Sequence, residues 1–273
     1  MKKKVIALLV IVLVFLGLGS FTYAFRFKFY EWQKDRIVAE LPTPISAKDI
    51  KGAQGKPVTP TPPAIGWPTA PPPPEITPPT PAALPTEINL AVPFTPQAPY
   101  GVWDEFHNDA CEEASVLMVA RFWQNKPILG PDDVEKELQE IRSFEEKTFG
   151  FSQDTNAAET AKILTDYHHL SGVSVVYDFT LDDLKRELLS GHPVIIPAAG
   201  RELHNPFYKQ PGPVYHMLVI KGVTADGKFI TNDPGTKRGA NFVYGQDTLY
   251  NAINDGDGTP HGLSGRKAMI VVR

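Results

Sequence analysis

The chain has 273 residues and a formal net charge of −4, and its 27 prolines are distributed unevenly. Residues 88–273 carry 17 Lys and Arg against 25 Asp and Glu, a net charge of −8, which argues against nucleic acid as a partner because the phosphate backbone is also negative. The single cysteine, Cys111, excludes an intramolecular disulfide and cannot by itself form a thiolate metal site.

The N-terminal segment is long and apolar enough to cross a membrane. Three lysines are followed by an uncharged run of 21 residues, VIALLVIVLVFLGLGSFTYAF, at 5–25. This run exceeds the apolar region of a usual signal peptide. We therefore expect residues 1–25 to be an uncleaved single-pass anchor in the cell membrane, with the rest of the chain outside the cytoplasm. A signal peptide cleaved after Ala24 is the alternative, and the protein would then be secreted.

Residues 26–87 are expected to join the anchor to the globular part. The mixed stretch RFKFYEWQKDRIVAELPTP either continues the helix or lies at the membrane surface. The run from Pro57 to Pro85 lacks the hydrogen-bond donors and apolar residues needed for a core. In a polyproline II conformation it would form a stalk about 90 Å long. A proline-rich ligand for another domain is the rival interpretation.

Residues 88–273 are expected to form one globular domain. The alternation of Ile88, Leu90 and Val92 predicts a short strand, and helical patterns occur at 107–123, 131–142, 155–168 and 180–190. Further strands are predicted at 173–178, 193–198, 215–223, 227–232 and 267–272. Helices come first and strands later, which predicts an α+β fold and not a doubly wound parallel sheet.

Cys111 lies in the first turn of a predicted helix, after an N-cap at Asn108 or Asp109. The unpaired N–H groups and the dipole at a helix start lower the pKa of a thiol and make it more nucleophilic. Glu112 and Glu113 oppose this effect by like-charge repulsion, so the dipole prevails if both point to solvent. A buried, inert cysteine on the apolar side of the helix is the alternative.

A thiolate nucleophile needs a base and a group that orients the base. His216 lies near the start of the strand YHMLVIKGV, and Asp233 ends the next strand. A hairpin loop centred between residues 224 and 225 would set the two side chains directly opposite each other, with Cβ atoms about 5 Å apart. A tight turn at residues 226–227 would instead pair Asp233 with Ile220 and separate the histidine from the carboxylate.

Two further features are candidates for the substrate site. The side-chain amide of Gln97 could donate to an oxyanion together with the backbone N–H of Cys111. The loop PAAGRELHNPFYKQPGPVYH leads directly to the candidate base, and we expect it to form a wall of the cleft. The candidate contacts in this wall are Arg201, His204, Asn205 and Tyr208. The chain has no HExxH motif, and no metal or other cofactor is expected.

The motifs VPFTPQ, NDACEEASVLM, HMLVIKG and NDPGT together resemble those of the papain-like cysteine peptidases of the bacteriocin-processing type, in their stand-alone, C39-like form. The resemblance covers residues 88–273. It implies a papain-like fold, with a catalytic cysteine at a helix start packed on an antiparallel sheet that carries the histidine and the aspartate. By resemblance, the oxyanion donor, nucleophile, base and orienting acid are Gln97, Cys111, His216 and Asp233. The family usually has Gly-Pro after the cysteine, where this chain has Glu112-Glu113.

The expected function is hydrolysis of a peptide or protein substrate by a cysteine peptidase of the bacterial cell envelope, held at the membrane by its N-terminal helix. A cell-wall peptide amidase of the same class is one alternative. A catalytically inactive module that binds peptides or cell wall on the same fold is the other, and Glu112-Glu113 gives it weight. A sortase-like transpeptidase does not fit, because in sortases the histidine precedes the cysteine.

Overall fold

In a computed structural model of the chain, the described residues are 25–50 and 86–273. The expected anchor at 1–25 therefore lies almost entirely outside the described residues, as does the proline-rich run from Pro57 to Pro85. Among the described residues, no helix is both long and apolar enough to cross a bilayer. The anchor and the stalk remain predictions from the sequence.

The globular part has most of its helices ahead of an antiparallel sheet. The helices are α1 at 25–39, α2 (Glu105–Asn108), α3 (Cys111–Gln124), α4 (Pro131–Thr148), α5 (Ala157–Lys162), α6 (Leu181–Leu189) and α7 (Gln246–Ala252). The strands are β1 (Ile88–Asn89), β2 (Val173–Tyr177), β3 (Val194–Ala199), β4 (Tyr215–Val223), β5 (Phe229–Asn232), β6 (Phe242–Tyr244) and β7 (Ala268–Val272). Their order in the sheet is β2-β7-β3-β4-β5-β6, with β1 paired to β4. The predicted α+β class is confirmed.

Local signals in the sequence account for several helix boundaries. Pro131 occupies the first turn of α4, where its missing N–H costs nothing. Thr180 caps α6, and its side chain and that of Asp183 satisfy each other's backbone N–H groups. The helix predicted at 155–168 is divided into α5 and a π-helical turn, Ile163–Tyr167.

Helix α3 is buried between the sheet and α4. It packs against β4 on one side and α4 on the other. The sequence predicted a single buried apolar face, but burial extends around most of the helix and includes Glu112 and Glu113. The prediction was wrong because α4 covers the face that was expected to meet solvent.

The hairpin of β4 and β5 has neither of the loops considered from the sequence. Its loop, residues 224–228, is closed by the N–H of Thr224, which donates to the carbonyl of Lys228 at 2.9 Å. Val223 lies opposite Phe229 at the start of the paired region. A bulge at Lys221 then shifts the register by one residue.

Because of this register, Asp233 does not lie directly opposite His216. Val219 is opposite Asn232, so one further step places Asp233 beside Leu218, two residues along β4 from His216 and on the same face. The predicted direct opposition was wrong because the loop is centred at residue 226, and the bulge moves Asp233 only one residue back towards His216. Diagonal neighbours on one face nevertheless remain within reach of a long or aromatic side chain.

The segment at 25–50 packs against the globular domain. The N–H of Ile45 donates to the carbonyl of Asn89 at 2.8 Å, and the carbonyl of Ile45 accepts from the N–H of Ala91 at 2.8 Å. Ile50 lies against the backbone of Gly191, just beyond α6. The packed unit therefore begins well before Ile88, where the sequence placed the start of the domain.

Candidate active site

His216 and Asp233 meet in the interior of the protein, where β4 and the end of β5 converge. The side chains of His216 and Asp233 are almost fully buried, and Nε2 of His216 lies 2.9 Å from Oδ1 of Asp233. When Nε2 carries the proton and donates it to this carboxylate, Nδ1 keeps a free lone pair. The imidazole is thereby held in the form that can accept a proton.

The carboxylate of Asp233 is held by several donors besides the histidine. Its Oδ1 also accepts from the N–H of Gly235 at 3.0 Å. Its Oδ2 accepts from three side chains: Asn205 Nδ2 at 3.0 Å, Tyr208 OH at 2.6 Å and Tyr244 OH at 2.6 Å. Burial acts to raise the pKa of Asp233, but the charge of His216 and these hydrogen bonds outweigh it, so this pKa lies below its ordinary value.

Cys111 begins helix α3, but no hydrogen bond joins its thiol to His216 in the part of the chain that the structure describes. The Sγ atom instead donates to Oε2 of Glu112 at 3.1 Å. The residue before the helix is Ala110, which has no capping side chain, so the predicted N-cap at Asn108 or Asp109 was wrong. Asn108 ends the short helix α2 and donates to the carbonyl of Asp104.

The thiol is protonated in this arrangement. Burial raises the pKa of Cys111 well above its usual value, and Glu112 adds to the effect. The helix dipole was expected to lower the pKa of the thiol only if Glu112 and Glu113 both pointed to solvent. Both side chains are buried instead, so the dipole does not prevail. Burial also raises the pKa of Glu112 well above its ordinary value, so this carboxyl keeps its proton too.

Glu113 and Glu145 form a second buried acidic contact behind the thiol. Their carboxyl groups interact electrostatically, and none of the four oxygens has a hydrogen-bond partner among the described residues. Burial raises the pKa of Glu113 to about 8. Burial and the charge of Glu113 raise the pKa of Glu145 to about 12. Among the described residues neither carboxyl group forms an ion pair. Protonation therefore lowers the free-energy cost of burying them, because a buried charge without a partner is strongly unfavourable.

Gln97 lies beside the nucleophile but is occupied by backbone contacts. Its Nε2 donates to the carbonyls of His107 and Asn108 at 2.9 and 3.0 Å, and its buried Oε1 has no partner among residues 25–50 and 86–273. Its own backbone N–H donates to the carbonyl of Pro234, next to Asp233. The amide thus positions the turn before Cys111, and donation to an oxyanion requires that one of its two bonds be released.

A cleft of about 1040 Å³ is lined by both Cys111 and His216. Its walls carry opposite charges. The acidic side chains are Glu105, Asp109 and Asp154, and the basic ones are Arg201, Lys209, Lys237 and Arg238. On the acidic wall, Asp109, Asp154 and His261 bring possible ligand atoms within 4.8 Å of one another, and Nδ1 of His261 lies 2.9 Å from Asp154.

The loop before His216 forms part of this cleft, as the sequence indicated, but its residues differ in role. Arg201 and Tyr208 line the cleft. Asn205 is buried behind it, where it donates to Asp233 and to Tyr244. His204 is exposed, with a φ of 50°, and is not among the residues that line the cleft. Of the four predicted substrate contacts, Arg201 and Tyr208 thus line the cleft, whereas the side chain of Asn205 turns inward and His204 lies outside the lining.

Comparison with protein-family models matches residues 89–253 to the family described as "Peptidase_C39 like family", which is more than half of the chain. The chain belongs to this C39-like peptidase family. The matched region includes Gln97, Cys111, His216 and Asp233. No curated protein matches the chain. Among solved structures it is similar to a Bacillus anthracis protein assigned as a C39-like peptidase, with 15% identity and a TM-score of 0.44, over 68% of this chain and 98% of that one.

Membership in the C39-like family confirms the resemblance found in the motifs and the papain-like α+β fold. Two residues of the site were not found from the sequence. Tyr244 belongs to β6, and only the order of the strands brings its hydroxyl to Asp233. Glu145 lies on α4, and nothing in its local sequence marks it as buried against Glu113.

Proposed function

We propose that the chain is a cysteine peptidase that hydrolyses peptide bonds, with Cys111 as nucleophile, His216 as base and Asp233 as the group that orients the base. The observation that carries this proposal is the buried pair of His216 and Asp233 at a cleft that Cys111 also lines. The family to which the chain belongs supports the same reaction class.

In the proposed reaction the thiol first leaves Glu112 and gives its proton to Nδ1 of His216. The Sγ atom then attacks the scissile carbonyl, and the N–H groups at the start of α3 stabilise the oxyanion. His216 returns the proton to the leaving amine, and an acyl-enzyme remains. Water, deprotonated by the same imidazole, hydrolyses the thioester and restores the thiol.

The negative charge of Asp233 serves both halves of this cycle. It fixes the tautomer of His216 before attack and stabilises the imidazolium that forms afterwards. The donors around Oδ2 keep the carboxylate ionised and fixed in orientation, although it is completely buried. This arrangement gives Tyr208, Tyr244 and Asn205 a positioning role.

We further propose that the peptidase is anchored in the membrane and acts outside the cytoplasm. The uncharged run at 5–25, preceded by three lysines, supports the anchor. A secreted form would require cleavage after Ala24. A cell-wall peptide amidase, the alternative within the same class, would use the same catalytic residues to hydrolyse an amide bond of a cell-wall peptide.

One observation favours an inactive binding module as the second candidate. The thiol is buried, protonated and bound to Glu112 instead of His216. A module of this kind would keep the cleft and bind peptides without turnover. The two candidates differ in a single measurable property, which is covalent chemistry at Cys111.

The test is hydrolysis of a mixed peptide library by the full-length protein, read by mass spectrometry. The Cys111→Ala variant should abolish cleavage. Ser115→Ala is the matched control, since Ser115 is buried on the same helix and its hydroxyl has no partner within the described residues. Cleavage that persists in Cys111→Ala, or an absence of cleavage by the unmodified protein, would contradict the proposal.

A further inference from the structure

Helix α1 packs at the rim of the cleft. Glu31 forms an ion pair with Arg238, and the ring of Tyr30 meets Phe207 edge-on, with centroids 6.3 Å apart. Arg238 also lies over the ring of Phe207, at 5.4 Å from its centroid. Both Arg238 and Phe207 line the cleft. The helix therefore contacts the same side chains that a substrate would meet.

The chain that follows α1 is also fixed to the domain. Pro42 accepts from the side chain of Asn89 at 2.9 Å, Ile45 bonds to β1 through its main chain, and Ile50 lies against Gly191. In the sequence, the proline-rich run comes after these contacts and before residue 86, where the described residues resume. It does not lie between the uncharged run and the domain, which is where a spacer would have to be.

The distance from the uncharged run to the cleft rim is short. The run ends at Phe25, five residues before Tyr30. A helix rises 1.5 Å per residue, so the end of the run is separated from the contact with Phe207 by about 8 Å along the helix axis. The stalk expected from the sequence would instead have set the domain about 90 Å away.

The outer surface of α1 has the composition of a membrane interface. Phe29 and Trp32 are each 54% exposed, and their rings stack with centroids 6.0 Å apart. The guanidinium of Arg36 lies 5.2 Å from the ring of Trp32, and Lys28 adds a second cation nearby. Aromatic rings flanked by Lys and Arg suit the headgroup region of an anionic bilayer.

We propose that α1 holds the cleft against the membrane surface, so that the substrates are peptide segments next to the bilayer, such as the flanks of membrane-spanning or lipid-attached proteins. The proposal rests on the membrane anchoring proposed above. Glu31 and Arg238 fix the helix to the rim, while Phe29 and Trp32 enter the headgroup region. The proline-rich run follows these contacts in the sequence, so it does not set the distance between the cleft and the bilayer.

The test measures the distance from the cleft to the bilayer without using a substrate. Trp103 lines the cleft and is 45% exposed. A variant that retains it as the single tryptophan (Trp32→Phe, Trp67→Phe and Trp123→Phe) is reconstituted, as the full chain, in vesicles of phosphatidylcholine and phosphatidylglycerol that contain a dansyl-labelled lipid. Energy transfer from tryptophan to dansyl is read after flotation, with near-ultraviolet circular dichroism to verify folding.

We expect strong transfer in this background, a several-fold loss in Glu31→Arg, and recovery in the charge swap Glu31→Arg with Arg238→Glu. Asp35→Arg, which makes the same charge change at an exposed position of α1, should leave transfer unchanged. Protein that floats with the vesicles but shows little transfer would overturn the proposal, as would transfer unaffected by Glu31→Arg. Protein that does not float would refute the anchoring itself, whereas peptide hydrolysis by Cys111 is tested separately.

Discussion

Removal of one hydroxyl group, in Tyr244→Phe, should destabilise the protein more than the same change at Tyr208. Tyr208 makes one hydrogen bond to Asp233, whereas Tyr244 both donates to Asp233 and accepts from Asn205 at 2.8 Å. A hydrogen bond to a charged group contributes about 1.5–3 kcal/mol. The unpaired N–H of Asn205 adds about 1–3 kcal/mol to the cost of the Tyr244 change.

We therefore expect Tyr208→Phe to lower the free energy of unfolding by about 2 kcal/mol and Tyr244→Phe by about 3–4 kcal/mol. The assay is urea unfolding of the full chain at pH 7, followed by tryptophan fluorescence. Because the pKa of Asp233 is lowered by folding, its contribution is present above its unfolded pKa and is lost as the pH falls through the folded one. Both variants should show a smaller loss of stability on acidification than the unmodified protein. Equal costs below about 0.5 kcal/mol, or a larger cost at Tyr208, would refute this reasoning.

Three further predictions concern the buried acids and the cleft. Because folding raises the pKa of Glu113 and of Glu145, the stability that these two groups contribute is complete below their unfolded pKa and is lost as the pH rises. For Glu113 the loss is about 1.4 kcal/mol per pH unit between the unfolded pKa and about pH 8. Glu145→Gln should reduce this dependence on pH in thermal unfolding, whereas Glu146→Gln, at an exposed neighbour, should not. Glu112→Gln should change the hydrolysis rate less than about tenfold, since glutamine mimics a protonated carboxyl, and a loss on the scale of about 10²–10⁴ would show that an ionised Glu112 is needed. Asp109→Asn should lower kcat/KM for peptides with lysine or arginine near the cleaved bond but not for neutral ones, and an equal effect on both would contradict a selective acidic wall.

The parts of the fold that follow from local chemistry were predictable from the sequence. Strand β4 occurs at the predicted residues, and α6 begins at its predicted cap, Thr180. The motifs around Cys111 and His216 indicated the family that the comparison confirmed. Each of these features is determined by a short stretch of sequence. A strand or helix is indicated by the spacing of its apolar residues and by its capping residues, and the family by the order of a few residue types.

The remaining features depend on partners that are distant in the sequence. Glu112 and Glu113 were weighed as solvent-facing acids, but both are buried, and burial reverses the expected effect on the thiol. The register of His216 and Asp233 depended on a bulge at Lys221 that the hairpin sequence does not mark. Similarly, the packing of 25–50 on β1 could not be inferred, because the contacts span the proline-rich run.

The most direct test of the central claim is covalent trapping of Cys111 by a peptidyl acyloxymethyl ketone, read as an adduct mass on the intact full-length protein. This reagent combines a peptide that occupies the cleft with a carbon that only a positioned thiolate attacks. We expect one adduct, at Cys111, that forms at least about 10²-fold more slowly in His216→Ala. An adduct rate unchanged in His216→Ala, or no adduct in a protein that still binds the peptide, would contradict the claim that Cys111 and His216 act together and would favour the binding module.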